Sequence, residues 1–222
     1  MPDSLRIVFR VEIATLLKEG QLDLSRMERV SMLCTNLMNC GHKVVLVSSG
    51  AIFLGSQRLG MDGIPVTLTG KQAAAAVGQA ELITQYQNCF DGFNQTVAQV
   101  LLTQDVLENR VWRLNAENTF RRLMDKGIIP IVNENDSVST EDIELGDNYP
   151  LALQVARIVH AHMIILRHIS EGTYLVYTYG GEVVQAGENE IFETAKRLKR
   201  ETGFMQRPKQ DFPAGVPQDY IY

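Results

Sequence analysis

Residues 128–150 read IIPIVNENDSVSTEDIELGDNYP, an apolar strand that breaks into amides and carboxylates and then opens a helix. The Ile-rich run is followed at once by Asn133, Glu134, Asn135 and Asp136. That order places fixed hydrogen-bond donors and acceptors just beyond the carboxyl end of a strand, where open α/β sheets bind their ligands. In the next turn, Gly146-Asp147-Asn148-Tyr149-Pro150, either Asp147 or Asn148 can cap a helix whose first residue is Pro150. Such a turn presents free backbone N–H groups.

Outward from this stretch, strands and helices alternate in both directions. Residues 6–13 (RIVFRVEI) suit a strand, and Ser25 with Glu28 has capping-box spacing for a helix that ends before Gly41. Residues 43–48 (KVVLVS) form a second strand, which SSGAIFLG turns into a helix. An Ala-rich helix over 71–90, a strand over 96–103 and a long helix over 105–126 stopped by Gly127 come next. After the Pro150 helix, MIIL (163–166) is a buried strand, TYLVYTYGGEVVQ a hairpin turned at Gly180-Gly181, and 188–202 a last helix. The pattern predicts a three-layer α/β/α sandwich around a parallel-dominated sheet, with right-handed crossovers. Residues 1–205 are expected to form one domain, and Pro208, Pro213 and Pro217 mark 206–222 as an irregular tail.

At 222 residues and 45% hydrophobic content the chain can bury a full core. No apolar run approaches the roughly 18 residues of a membrane span, and the N-terminus lacks secretory-signal features, so the expected location is the cytoplasm. Three cysteines without a C-x-x-C pair (Cys34, Cys40, Cys89) argue against a disulfide framework or zinc ribbon and are expected to be buried or inert. A net charge of −5 disfavours nucleic acid, and the basic cluster over 196–201 reads as a solvated helix face.

Ser48, Ser49 and Gly50 lie at a strand-to-helix junction, which is either an anion-binding helix start or merely a tight turn. Asp136 suits an ammonium group and Asn135 or Asn148 an amide contact, the needs of an α-amino acid; the alternative is a hydrated turn. His160 and His162 lack Cys or carboxylate partners nearby in sequence, so they read as surface residues and no metal is assigned. Trp112, Tyr86, Tyr174, Tyr177 and Tyr179 read as packing groups. The Ala73–Ala76 run suits close helix approach, within the chain or between subunits.

Taken together, the NEND loop with its GDN turn, the VSSGA segment, KQAAAAVGQAELI and RLNAENTFRRLMDKGIIP resemble the glutamate 5-kinase branch of the amino-acid kinase family, over about residues 6–184. The resemblance implies that fold. It implies glutamate contacts at Ser49, Asp136 and Asn148, with Gly50 beside them, and a homo-oligomer. It also exposes departures. The family's first strand ends in Lys-hydrophobic-Gly, where this chain has Arg10-Val11-Glu12, and the last Asp of the GDND turn is Tyr149. The nucleotide-contacting Thr-Asp is Arg167-His168, Pro208 stands at a phosphate-contacting lysine with Lys209 one place late, and the chain stops at Tyr222, before the family's remaining nucleotide-binding elements. An inward-facing Glu12 is expected to repel nucleotide phosphates, since like charges about 4 Å apart repel by roughly 4 kcal/mol at an effective dielectric near 20.

The sequence therefore leads to a homologue that binds glutamate or a similar amino acid, as a sensor or regulatory partner, but has lost ordinary ATP-dependent phosphorylation. One alternative is an active kinase making L-glutamyl 5-phosphate for proline synthesis. There Arg10, Lys209 or Lys71 replaces the lost lysines, Asp147 helps hold magnesium, and magnesium-ATP is the second substrate. Another is a structural or self-associating protein on the same fold.

Overall fold

The computed structural model describes residues 4–103, 106, 108–138, 148–167 and 172–201. Along the chain run β1 (Arg6–Val11), α1 (Ile13–Leu16), β2 (Leu17–Lys18), β3 (Gln21–Leu22), α2 (Leu24–Asn39), β4 (Lys43–Ser48), α3 (Ala51–Arg58) and α4 (Leu68–Asp91). They are followed by β5 (Val97–Leu102), α5 (Arg110–Asp125), β6 (Ile129–Glu134), α6 (Tyr149–Val159), β7 (Met163–Arg167), β8 (Tyr174–Thr178), β9 (Val183–Ala186) and α7 (Glu188–Glu201).

Seven strands form one sheet in the order β5-β6-β4-β1-β7-β8-β9. The first five in that order pair in parallel, and β8 and β9 extend the sheet antiparallel through the expected hairpin. β1 and β4 are buried almost throughout. This is why they are near-continuous apolar runs: a strand covered on both faces has no solvated side to mark with polar residues.

The period of two along each strand sorts the core into two layers. Ile7, Phe9, Val11, Val44, Leu46, Ile131 and Ile165 pack in one layer with Val30, Leu37, Leu82, Phe90 and Leu198, so α2, α4 and α7 cover that face. Val8, Val45, Val47, Val132, Ile164 and Tyr177 pack in the other with Phe120, Met124, Ala152 and Val155, so α5 and α6 cover the opposite one. The three-layer architecture read from the sequence is the one present. Among the described residues no helix is long and apolar enough to cross a membrane.

Several boundaries differ from the sequence pattern, and local hydrogen bonds explain them. β1 stops at Val11, and Glu12 is the N-cap of α1. The cap of α2 is Asp23 rather than Ser25: the Asp23 carboxylate accepts from the Ser25 backbone N–H at 2.9 Å and from its hydroxyl at 2.6 Å. α5 begins at Arg110 because Asn109 Oδ1 accepts from Val111 and Trp112 N–H. β6 runs on to Glu134, so Asn133 and Glu134 belong to the strand. α6 starts at Tyr149 with Asn148 as N-cap, one residue before Pro150. The β2–β3 hairpin was not foreseen; its turn uses positive φ at Glu19 (52°) and Gly20 (76°).

Two side chains depart from expectation. His162 is buried, not a surface group: its Nδ1 accepts from the Arg6 backbone N–H at 3.0 Å, and its ring meets Tyr179 edge-on. Trp112 is 50% exposed, whereas Tyr86, Tyr174 and Tyr177 are core. Cys40 is exposed, unlike Cys34 and Cys89. The expected tail over 206–222 lies outside the described residues.

Candidate functional site

Register brings the singled-out residues to one end of the sheet. Arg10 lies opposite Val47 of β4 and Leu166 of β7, Val11 opposite Ser48, and Val47 opposite Val132 of β6. The segments leaving the carboxyl ends of β1, β4 and β6 therefore emerge side by side: Glu12, then Ser49-Gly50, then Asn135-Asp136.

The two serines of the β4–α3 junction separate. Ser48 is buried and shares a 2.8 Å hydrogen bond with the Tyr86 hydroxyl. Ser49 is part-exposed; its N–H donates to the Val11 carbonyl at 3.2 Å and its Oγ accepts from the Ile13 N–H at 3.0 Å. The Ser49 hydroxyl proton is thus left to serve a ligand. Gly50 sits at φ 122°, and a Cβ there would lie 2.7 Å from Ile13 Cδ1. The backbone conformation here favours glycine, and a side chain would have to displace the tip of Ile13. It is the N-cap of α3, whose first N–H groups have no partner within the helix.

Asp136 borders a cavity of about 320 Å³. Its polar lining comes from Gln79, Gln99, Glu134, Asn135, Asp136 and Ser137, and its floor from alanines of α4 together with Ala51, the first residue of α3. Gly55 and Gly78 allow α3 and α4 to approach this closely: a Cβ on Gly55 would lie 1.8 Å from the Ala74 carbonyl oxygen, and one on Gly78 1.8 Å from that of Ala51. Burial, and secondarily the Glu134 carboxylate, push the Asp136 carboxyl up to about 6. An ammonium group placed in the cavity would relieve both effects. Ser49, Gly50 and Asn148 do not line this cavity; Ala51 joins it to the Ser49-Gly50 junction.

Gln79 is a site residue that sequence reasoning missed, as are Gln99 and Ser137. Asn133 Nδ2 donates to Gln79 Oε1 at 2.9 Å, which fixes the amide and leaves Nε2 as a donor. The available signal was one amide amid the alanines of α4, at helical spacing from Ala75 and Ala76.

The third part of the site is a cluster around Arg10, which is 5% exposed. Its Nε donates to Asn148 Oδ1 at 2.9 Å, one terminal nitrogen ion-pairs with Glu12, and its guanidinium carbon lies 5.7 Å from the centre of the Tyr149 ring. Two expectations meet in this pair. The charge of Arg10, one of the expected substitutes for the lost lysines, is matched here by Glu12. Glu12, for the same reason, is not an uncompensated negative charge. Three departures from the family pattern, Arg10, Glu12 and Tyr149, are thus one packed unit. Asn148 caps α6 by position but makes no side-chain cap bond, because Arg10 holds its oxygen.

Asp147, His168, Pro208 and Lys209 lie outside the described residues, as does the side chain of Arg167. His160, at φ 51°, ends α6 and lies 3.8 Å from Glu117, away from this site. Among the described residues, no three His, Cys, Asp or Glu side chains are grouped to hold a metal ion.

Residues 15–171 match the model of the amino acid kinase family. The glutamate 5-kinase of Clostridium perfringens (strain 13 / Type A) is 45% identical over 179 residues, covering 78% of this chain and 66% of that protein. The glutamate 5-kinase of Moorella thermoacetica is 46% identical over 162 residues, covering 72% and 43% respectively. The chain thus spans between about two fifths and two thirds of the length of these relatives. In three dimensions a Giardia carbamate kinase structure matches with a TM-score of 0.52 at 13% identity, over 73% of this chain and 72% of that one, which is a likeness of fold.

Proposed function

This chain belongs to the amino acid kinase family, and on that footing we propose that it binds glutamate or a similar amino acid without ordinary ATP-dependent phosphorylation, in a sensing or regulatory role. The ammonium group goes to Asp136, in the cavity whose only charged lining groups among the described residues are Asp136 and Glu134. The carboxylates go toward the Ser49 hydroxyl, the free N–H groups that open α3, and the Asn148 amide.

The observation that carries the loss of phosphorylation is the closed Arg10–Glu12–Tyr149 cluster. Transfer of a phosphoryl group needs cations aimed at charge that develops during the reaction. Here the guanidinium at the end of β1 is buried and already neutralised, so the described residues at that position do not fit a magnesium-bound nucleotide phosphate.

A second reading is favoured by the 45% identity to a glutamate 5-kinase: an active enzyme that forms L-glutamyl 5-phosphate from glutamate and magnesium-ATP. Asp147 would then help hold magnesium, and Lys71 or Lys209 would meet phosphate. A third is self-association as a homo-oligomer, favoured by the exposure of Val111 (64%), Trp112 (50%) and Leu114 (54%) on α5.

Titration calorimetry separates these readings. The proposal expects saturable heat with L-glutamate, its loss in Asp136→Asn, and no heat with magnesium-ATP. Nucleotide binding of comparable strength supports the enzyme, and no heat with either supports the self-associating protein.

A further inference from the structure

We propose that Arg10 is a positioning residue: it fixes which way the Asn148 amide faces, so that Asn148 offers the bound amino acid a hydrogen-bond donor only. This rests on the amino-acid-binding reading above. An arginine Nε–H can only donate, so the Asn148 atom 2.9 Å from it must be the carbonyl oxygen. The other end of the amide, Nδ2, is then a two-proton donor. It is buried and has no hydrogen-bond partner among the described residues. Buried polar atoms are rarely left so, and a buried donor without an acceptor is a place for a ligand atom or an ordered water.

The arginine is well suited to hold the amide. Arg10 lies on the central strand between β4 and β7, its terminal nitrogen is tied to Glu12, and its guanidinium lies against the Tyr149 ring. An amide flip at Asn148 would set N–H against N–H and lose the bond to Arg10. A carboxylate oxygen of the ligand therefore fits at Nδ2, and an ammonium group does not. The substitutions at Arg10, Glu12 and Tyr149 thus exchange a phosphate-facing position for rigid presentation of one donor.

The side-chain amide signals of Asn148 in a 15N-labelled protein, identified by their absence in Asn148→Asp, report this directly. On adding L-glutamate they are expected to shift and saturate at the same concentration as the Ser49 backbone amide. Arg10→Lys keeps a cation opposite Glu12 but lacks the Nε fork; it is expected to weaken glutamate binding about tenfold and to shift the Asn148 amide signals even without ligand. Asn148→Asp replaces the donor by an acceptor and is expected to weaken binding at least tenfold. If Ser49 shifts while the Asn148 amide stays still, the inference is wrong although amino-acid binding stands. If neither responds to glutamate, the underlying reading fails with it. Unaltered binding and unaltered Asn148 signals in Arg10→Lys overturn the positioning role.

Discussion

Arg10 and Glu12, on either side of Val11 where β1 ends, neutralise one another at the mouth of the candidate site. Arg10 is 6% exposed at its side chain and Glu12 30%, so the pair is sheltered on one side only. Removing the carboxylate takes from a nearly buried guanidinium the counter-charge that Glu12 supplies. Glu12→Gln is expected to lower unfolding stability by about 1–2 kcal/mol, less than a fully buried pair would lose, as read from urea midpoints. An unchanged midpoint would show that the pair is dispensable to the fold.

The raised carboxyl of Asp136 ties ligand binding to pH. If the ionised form pairs with an ammonium group, a proton must leave Asp136 when ligand binds below pH 6. Affinity for L-glutamate is expected to fall about tenfold per pH unit below 6 and to level off above it, a profile that calorimetry in buffers of differing ionisation heat can follow. For the fold the sign is opposite. A carboxyl raised above its unfolded value is a cost once ionised, so Asp136→Asn is expected to stabilise the free protein by about 1–2 kcal/mol above pH 6.

At the other end of the sheet His162 sets an acid limit. Burial, and next the charge of Arg6, bring its imidazole down to about 4. The unfolded chain takes up this proton near pH 6.5 and the folded one only near 4, so stability drains as pH falls through that window. The loss is expected to reach about 3 kcal/mol by pH 4. His162→Asn, whose side-chain oxygen can accept in place of Nδ1, should flatten that part of the urea midpoint profile.

Gly78→Ala tests the helix crossing that shapes the cavity. The added methyl would lie 1.8 Å from the Ala51 carbonyl oxygen, so α3 and α4 must part. A loss of at least about 3 kcal/mol is expected, with glutamate affinity lost in parallel because Ala51 and Gln79 line the same cavity. Retained stability would mean that the crossing relaxes without cost.

The sheet was legible because its strands carry their own signals: KVVLVS and the Ile-rich run before Asn133 are apolar throughout, as buried parallel strands require. Gln79 and Asn148 were harder to read, for one physical reason. Their roles depend on partners far along the chain, Asn148 being 138 residues from Arg10 and Asn133 54 from Gln79. Charge at Glu12 could be read from its letter, but not that Arg10 would cancel it. Asp136 was legible as a ligand candidate because a carboxylate just past a buried strand is informative by position alone. Burial of His162 was hidden because its partner is the backbone of Arg6, which no residue type announces.

The central claim is that amino-acid recognition persists here while the cation for phosphoryl transfer has been neutralised. Its most direct test is ADP release by the purified protein with magnesium-ATP, measured with and without saturating L-glutamate. The account predicts no glutamate-dependent release above the background set by Asp136→Asn. Release that requires glutamate and disappears in Asp136→Asn would contradict it and identify an active kinase.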